Sequence, residues 1–183
     1  MVSKVVHSSK KTGGSDNWGT PVDVFNQLNE RWKFDIDVAA DESNHLCPIW
    51  YGPGGLYDDA LSAPWGPKKI HGLETATHVY CNPPYSRVGE FVAKASEEAS
   101  VNNATTVMLI PARTDTRWFH EYVYDTLAQG WRPHIHVVFI KGRLKFILPH
   151  PAEITDVIAP TNSAPFPSML VFFYAHNASR PQV

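Results

Sequence analysis

Strand-like and helix-like segments alternate between about residues 18 and 130, and this alternation restricts the possible folds more than any other feature of the sequence. Its clearest part is THVYC, an apolar strand ending at Cys81. Helical spacing follows from Val88 to about Ser100, and then TTVMLIPA, a strand of the buried type. Such alternation is typical of an α/β layer with a mainly parallel sheet. HIHVVFI, GRLKFILPHP and SMLVFFY lack a good helix between them, so we expect an antiparallel pair at the end of the sheet.

Length and composition favour one globular domain. The chain has 183 residues, of which 43% are hydrophobic and 19% are charged. We expect a flexible N-terminal tail over 1–17, a single domain over 18–176 and a C-terminal tail over 177–183. The sequence shows no apolar run of membrane-spanning length and no signal-peptide pattern, and its two cysteines lack metal-site spacing. We therefore expect a cytoplasmic protein without a membrane partner.

Three further segments carry local signals. WGTPVDVFNQLNERW predicts a helix that Thr20 caps and whose first turn contains Pro21. FDIDVAA (34–40) predicts a short strand, and the Pro- and Gly-rich stretch over 41–77 predicts mostly loop. DTRWFHEYVYDTLAQG predicts a helix that ends at Gly130.

Asn82-Pro83-Pro84-Tyr85 directly follows the strand that ends at Cys81, at the carboxyl end where open α/β sheets bind ligands. An exocyclic base amine is a poor nucleophile because its lone pair is delocalised into the ring. The Asn82 amide oxygen and the Pro83 carbonyl can accept both amine hydrogens and turn the lone pair toward a methyl donor. The prolines stiffen the backbone, and Tyr85 offers an aromatic face to a base swung out of the helix. A stiff turn is the alternative interpretation.

The motif is similar to the catalytic motif of the amino-methyltransferases, and the chain as a whole resembles the phage-type DNA N6-adenine methyltransferases. The resemblance rests on ordered blocks: WGTP (18–21), FDIDVAADESNHLCPIWY (34–51), DDALSAPW (58–65), VYCNPPYS (79–86), IPARTDTRWFH (110–120), KGRLKF (141–146) and PSMLVFFY (167–174). It implies a Rossmann-like methyltransferase sheet, S-adenosylmethionine as cofactor, and direct methyl transfer to N6 of a flipped adenine in double-stranded DNA. For a bacteriophage protein, the expected location is the cytoplasm of the bacterial host.

The resemblance also implies a set of cofactor-binding residues. Asp37 lies where a carboxylate can approach the methionine amino group, and Asp59, or failing it Asp58, is the expected partner of the cofactor adenine. The others are Trp18, Thr20, Pro21, Ala39, Ala40 and Asp41. Methyltransferases generally have a glycine-rich turn where this chain has two alanines, whose range of φ is narrower. Surface acids at Asp35 and Asp37, and a plain helix cap at Thr20-Pro21, are the alternative interpretations.

The net charge of −2 and a pI near 6.5 argue against a broadly basic protein that coats DNA, so DNA contacts must come from local cations. Arg113 and Arg117 follow a strand end and can hold phosphate through their guanidinium groups. A local ion-pair cluster with Asp115 is the alternative. Lys141 and Arg143 complete the predicted DNA-binding set.

Other functions remain open on the residues alone. Methylation of cytosine N4 uses the same geometry, although its motif more often begins with Ser; a glutamine amide of a protein, or a silent DNA-binding module, are further alternatives. The chain has no room for a separate target-recognition domain, so sequence reading would fall to loops within 44–76 or 141–166, or to a second subunit. His134 and His136 alternate on a predicted strand without a third ligand, and we predict no metal site. Oligomeric state and target sequence stay open.

Overall fold

The computed structural model describes residues 18–66, 77–147 and 161–177, which contain three α-helices and ten strands. The helices are α1 (Val22–Trp32), α2 (Val88–Val101) and α3 (Arg117–Tyr122), and a 3-10 turn covers Tyr85–Arg87. The strands are β1 (Ile36–Asp37), β2 (Ile49–Trp50), β3 (Thr77–Cys81), β4 (Ala104–Pro111), β5 (Tyr124–Asp125), β6 (Gly130–Trp131), β7 (Ile135–Phe139), β8 (Lys145–Ile147), β9 (Thr161–Ser163) and β10 (Ser168–Phe173). The predicted tail at 1–17, most of the predicted C-terminal tail, and segments 67–76 and 148–160 lie outside the described residues.

Six strands form one sheet in the order β2-β1-β3-β4-β10-β7. The first four are parallel, with Ile36 opposite Val79 and Cys81 opposite Met108. β10 is antiparallel to both of its neighbours, β4 and β7. The predicted α/β fold, with a mostly parallel sheet and an antiparallel end pair, is confirmed.

Both faces of the sheet are covered. Tyr80 points into a buried cluster with Phe25 of α1, whereas its neighbour Cys81 points into the opposite cluster with Phe91 of α2. All eight residues of β4 are buried, as expected for a central strand covered on two sides. In the described part of the chain, no helix combines the length and apolarity that crossing a membrane requires.

The N-terminus of the first helix differs from the prediction. α1 begins at Val22, with Pro21 at the N-cap position and no side-chain capping hydrogen bond. The prediction that Thr20 caps this helix is therefore wrong. Its hydroxyl is buried and lies 2.7 Å from the Tyr80 hydroxyl on β3. The Thr20 hydroxyl therefore bonds to a residue 60 positions away and not to the backbone of the adjacent helix.

The helix predicted over 115–130 is wrong beyond its first turns. α3 ends at Tyr122, and the chain continues into the β5-β6 hairpin. Its aromatic and β-branched residues favour extended backbone. The Asp125 carboxylate then accepts the N–H groups of Leu127 and Ala128, which fixes a turn. In this segment Val123 is buried, whereas Leu127 is 97% exposed, so the segment does not present the continuous buried face of a longer helix.

Two predicted strands are shorter than expected. FDIDVAA pairs only over Ile36–Asp37. His134 precedes β7 with a φ of 61° and stacks on His176, with ring centroids 4.3 Å apart, whereas His136 lies on β7 itself. The two histidines therefore do not alternate along one strand.

Candidate active site

The functional candidates gather where parallel strands end. β1 and β3 are hydrogen-bonded neighbours, with Asp37 opposite Tyr80, so the turns that follow them emerge at the same edge of the sheet. The turn after β1 begins with Val38 and Ala39, and the motif Asn82–Tyr85 follows β3. This edge is where ligands bind in open α/β sheets.

Two adjoining cavities occupy this edge. The first, about 50 Å³, is lined by Trp18, Gly19, Thr20, Asp37, Ala39, Asn44, Leu46, Tyr80, Asn82 and Pro84. The second, about 280 Å³, is lined by Val38, Ala39, Ala40, Asp41, Asn44, Tyr51, Gly52, Pro53, Asp58, Asp59, Ala60, Pro84, Arg87 and Phe91. Because they share Ala39, Asn44 and Pro84, they form one cleft, which runs from the motif to the loop that carries Asp59.

Most of the predicted cofactor-binding residues line this cleft together with the motif. They are Trp18, Thr20, Asp37, Ala39, Ala40, Asp41 and Asp59. Pro21 is not among the lining residues; it holds the N-cap position of α1. Residues separated by up to 66 positions in the sequence, Trp18 and Pro84, are thus brought to one place.

Asn82 is held by two hydrogen bonds at the end of the cleft. Its Nδ2 donates to the Trp18 carbonyl at 2.5 Å and to the Thr20 hydroxyl at 3.0 Å. Its Oδ1 is buried and has no hydrogen-bond partner within the described ranges. A buried acceptor left without a donor costs about 1–3 kcal/mol, so this oxygen is suited to receive a donor from a ligand.

Asp37 places a buried carboxyl in the cleft, with an exposed fraction of 4%. Burial raises its pKa to about 6, although the N–H groups of Ala39 and Leu46 and the nearby His45 all lower it. None of the ion pairs formed among the described residues includes Asp37. At neutral pH the cleft therefore contains a carboxylate that a cationic ligand group would stabilise.

The turn after β1 needs no glycine of its own. Ala39 and Ala40 are absent from the residues with positive φ, so the alanines that replace the usual glycines adopt ordinary backbone. The close approach is made instead by Gly52, with a φ of 132°, where an added Cβ would lie 1.8 Å from the Ala40 carbonyl oxygen. The contact between the two loops therefore depends on Gly52.

The far end of the cleft carries two exposed acids. Asp58 and Asp59 both line the second cavity, and the Asp59 carboxylate accepts the Leu61 N–H at 3.1 Å. The loop that carries Asp58 and Asp59 is held against α2, because the buried Glu98 carboxylate of that helix accepts the Trp65 N–H at 2.9 Å. We call the four residues Asp37, Asp41, Asp58 and Asp59 the acidic side of the strand-end edge.

The remaining motif residues have different surroundings. Pro83 is buried, and Pro84 lines both cavities. Tyr85 is half-buried outside the two cavities, and its ring packs nearly perpendicular to those of Phe146 and Phe166, at centroid distances of 6.2 and 5.1 Å. Its hydroxyl is buried without a hydrogen-bond partner in the described part of the chain, and burial raises its pKa.

The predicted DNA-binding cations lie along the other part of the same edge. Since Pro111 pairs with Ser168 and Phe139 with Met169, β4 and β7 both end beside the start of β10. Arg113 and Arg117 follow β4, and Lys141 and Arg143 follow β7; all four are exposed. We call these four residues the basic side of the edge. Arg117 pairs with Glu121 at 3.2 Å, not with Asp115.

Sequence reasoning missed several residues of the site. Tyr80 was assigned only to a strand, and Asn44, Leu46 and Gly52 to a loop, although the Leu46 N–H donates to Asp37. Asp41 and Asn44 offered a usable local signal, because short polar side chains bond to nearby backbone in turns. The Asp41 N–H donates to Asn44 Oδ1, and Asp41 Oδ1 accepts the Ser43 N–H two residues on, as in an Asx turn. The other contacts are long-range and leave no local pattern.

The sequence also matches a family of known proteins. The sequence model of the DNA N-6-adenine-methyltransferase (Dam) family matches residues 7–182. The chain belongs to this family. The family predicted from the motif blocks is thereby confirmed, and adenine, the predicted base, is the one that the family's name gives.

Two phage proteins are similar to this member of the family. A DNA N-6-adenine-methyltransferase of Haemophilus phage HP1 (strain HP1c1) is 30% identical over 168 residues, which cover 91% of this chain and 83% of that protein. A DNA N-6-adenine-methyltransferase of Escherichia phage T1 is 40% identical over 107 residues, which cover 58% of this chain and 40% of that protein. The chain thus matches less than half the length of the T1 relative.

Proposed function

We propose that this Dam-family chain transfers a methyl group from S-adenosylmethionine to N6 of adenine in double-stranded DNA. The observation that carries the proposal is the buried, unpartnered Oδ1 of Asn82 at the end of the cleft. In the same proposal the sheet is a Rossmann-like methyltransferase sheet, and residues 18–176 form a single methyltransferase domain. The place of action would be the cytoplasm of a bacterial host.

The cleft residues fit S-adenosylmethionine by their chemistry. The buried Asp37 carboxylate suits the methionine ammonium group, and the acidic side as a whole suits a cofactor that carries a cationic sulfonium. Ala39 and Ala40 leave space beside the backbone, and Asp59, with Asp58 beside it, provides acceptors for an adenine amine at the larger end. When bound, the cofactor supplies a methyl group already activated by the positive sulfur.

The Trp18–Pro21 segment borders the smaller end of the cleft. Trp18 and Thr20 line it directly, and Pro21 sets the direction in which α1 leaves. We assign this segment to the methionine end of the cofactor, opposite Asp37. Asp41 is held by its turn with Ser43 and Asn44, and it borders the larger cavity.

In this proposal the motif makes the exocyclic amine of adenine a better nucleophile. Asn82 Oδ1 accepts one amine hydrogen and the Pro83 carbonyl accepts the other, which withdraws the nitrogen lone pair from the ring. The buried surroundings strengthen both hydrogen bonds because water does not compete for them. Pro84 keeps the carbonyl of its neighbour fixed. No nucleophilic side chain is required, since the amine itself attacks.

The base has to leave the DNA helix to reach Asn82, which lies in a cleft and not on a protruding surface. Tyr85 offers the aromatic ring against which the extruded base would stack, with Phe166 close by. Arg113, Arg117, Lys141 and Arg143 would hold the phosphates beside the cleft, because exposed guanidinium and ammonium groups bind phosphate without reading sequence.

The test is methylation in vitro. Purified protein would be incubated with S-adenosylmethionine tritiated on the methyl group and with unmethylated duplex DNA, and the digested nucleosides separated. We expect label in N6-methyl-2′-deoxyadenosine, reduced roughly 100-fold or more in Asn82→Ala, as for loss of one preorganised polar group.

The other outcomes separate the alternatives. Label in N4-methylcytosine would keep the chemistry and change the base. Absence of label in DNA, together with measurable binding of S-adenosylmethionine, would contradict the DNA assignment. Equal labelling by wild type and Asn82→Ala would leave DNA as the substrate but move the catalytic site elsewhere.

A further inference from the structure

The Asn82 carboxamide can be assigned an orientation from its surroundings. A backbone carbonyl only accepts hydrogen bonds, so the atom of Asn82 that faces the Trp18 carbonyl at 2.5 Å has to be the NH2 group. The same NH2 group reaches the Thr20 hydroxyl at 3.0 Å. Both N–H bonds are then used, and Oδ1 is turned away from both partners, where it is buried and unpartnered in the described part of the chain.

The Thr20 hydroxyl is itself held in place. It lies 2.7 Å from the Tyr80 hydroxyl, and both side chains are buried, with exposed fractions of 5% and 1%. A hydroxyl has two lone pairs and one hydrogen, so Thr20 can accept from Asn82 and still bond with Tyr80. Tyr80 is fixed in turn by edge contacts with Phe25 and by contacts with Phe34.

We propose that the Trp18 carbonyl, Thr20 and Tyr80 form an orientation lock on Asn82, with Thr20 and Tyr80 as positioning residues for methyl transfer. The lock rests on the proposed function, because it matters only where Oδ1 receives a substrate amine. Rotation of the carboxamide by 180° would present N–H groups to an amine that also donates. The lock excludes that rotation, since it would face the Asn82 oxygen toward the Trp18 carbonyl.

The lock makes a specific demand on position 82. Amino-methyltransferase motifs of this kind begin with Asp, Asn or Ser, and Asp offers the same acceptor oxygen toward the substrate. In this chain, however, the second carboxylate oxygen of Asp would face the Trp18 carbonyl, and two acceptors repel each other at that distance. Asn is therefore required here, although Asp has the same shape and a stronger acceptor.

The experiment measures single-turnover methylation of duplex DNA, together with the Kd for S-adenosylmethionine and the KM for DNA. The variants are Asn82→Asp, Thr20→Val, Thr20→Ser and Tyr80→Phe. Val keeps the shape of Thr and removes the acceptor, whereas Ser keeps the hydroxyl. Thr106→Val is the matched control, because Thr106 is equally buried on β4 and its hydroxyl has no hydrogen-bond partner among the described residues.

We expect Thr20→Val to lower the rate roughly 10- to 100-fold, as a misplaced reacting group does, with the KM for DNA within about threefold of wild type. Because Thr20 also borders the cofactor cleft, the Kd for S-adenosylmethionine should change as well, but by less than the rate. Thr20→Ser should restore the rate to within about threefold, Tyr80→Phe should lower it by less than Thr20→Val, and Thr106→Val should leave it unchanged. Asn82→Asp should lower the rate at least as much as Thr20→Val.

Three results would overturn the lock while leaving the proposed function intact. The first is an Asn82→Asp variant as active as wild type. The second is equal rates for Thr20→Val and Thr106→Val in folded proteins, judged by their thermal unfolding. The third is a loss in Thr20→Val that appears in the Kd for the cofactor and not in the rate. A wild-type protein that methylates no DNA would overturn the proposed function, and the lock with it.

Discussion

The acidic and basic sides of the strand-end edge are built in opposite ways. On the acidic side, Asp37 is 4% exposed and accepts two backbone N–H groups, and Gly52 brings a facing loop into contact with Ala40. On the basic side, Arg117 has 91% of its side chain exposed, and an added Cβ at Gly142 would meet nothing within 4 Å. The acidic side is preorganised around the buried Asp37, whereas the basic side is open to solvent.

Under the proposed function, this difference predicts how each partner would gain its binding energy. A small cofactor in an enclosed cleft would depend on a few fixed groups, so single substitutions there should have large effects that salt changes little. DNA held by the exposed cations would gain many small, screened contributions, so single substitutions should have small effects that depend on salt. Asn82 follows β3, between the two sides, where the two ligands would meet.

On the acidic side, the largest effect is expected at Asp37. Asp37→Asn removes the charge that would pair with the cofactor ammonium, and hydrogen bonds to charged groups contribute about 1.5–3 kcal/mol. The Kd for S-adenosylmethionine should therefore rise roughly 10- to 100-fold, with the KM for DNA little changed. Calorimetric titration measures the first quantity, and Asp35→Asn, on an acid that lies outside the cleft cavities, is the matched control. Equal Kd values for the two variants would contradict the assignment.

The pH dependence of the same residue gives a second test. The folded-state pKa of Asp37 is raised to about 6 from an ordinary 3.8, so burial of the charged form opposes folding. The contribution of Asp37 to the free energy of unfolding is fully present below about pH 4 and is lost as the pH rises through 6. The total change is on the order of 3 kcal/mol. In urea unfolding without cofactor, the free energy of unfolding of Asp37→Asn should not show this decrease as the pH rises through 6.

Cofactor binding should show the opposite trend. Because the ammonium group requires the carboxylate, the Kd of wild type should rise up to about tenfold for each pH unit below 6. A wild-type Kd that is flat between pH 4.5 and 7 would show that Asp37 does not meet a cation.

The sequence predicted the parts of the structure that depend on residues close together in the chain. The strand before Asn82 and the helix after it have strong periodic signals, and the alternation of strand and helix set the parallel sheet. Thr20 was assigned to a cap because the cap is a local use of a hydroxyl, whereas its actual partners are 60 and 62 residues away. Gly52 was unreadable for the same reason, since the atom it avoids belongs to Ala40 on another loop.

Two of the three glycines with positive φ among the described residues, Gly52 and Gly142, test the same difference at the level of stability. Gly142→Ala should cost about 1 kcal/mol, the ordinary penalty for a side chain in the left-handed region, because its surroundings are open. Gly52→Ala adds a clash with the Ala40 carbonyl and should cost at least twice as much. Urea unfolding measures both, and equal losses would contradict the close approach on the acidic side.

The smallest single effects are expected on the basic side. Arg113→Ala and Arg117→Ala should each weaken DNA binding about fivefold and reduce the slope of log K against log salt by about 0.9 per lost phosphate contact. Cofactor affinity should not change. Arg31→Ala is the control, because Arg31 lies at the end of α1 just before β1 begins, and so at the opposite edge of the sheet. An equal loss in the control would place DNA elsewhere.

The most direct measurement is the nucleoside content of DNA from bacteria that lack adenine methylation of their own and express this chain. Wild type and Asn82→Ala would be expressed at matched levels, and N6-methyl-2′-deoxyadenosine would be counted by mass spectrometry. We expect N6-methyl-2′-deoxyadenosine with wild type and a reduction of roughly 100-fold or more with the variant. Its absence from wild-type DNA, or equal amounts in the two samples, would contradict the claim that Asn82 directs methyl transfer to adenine.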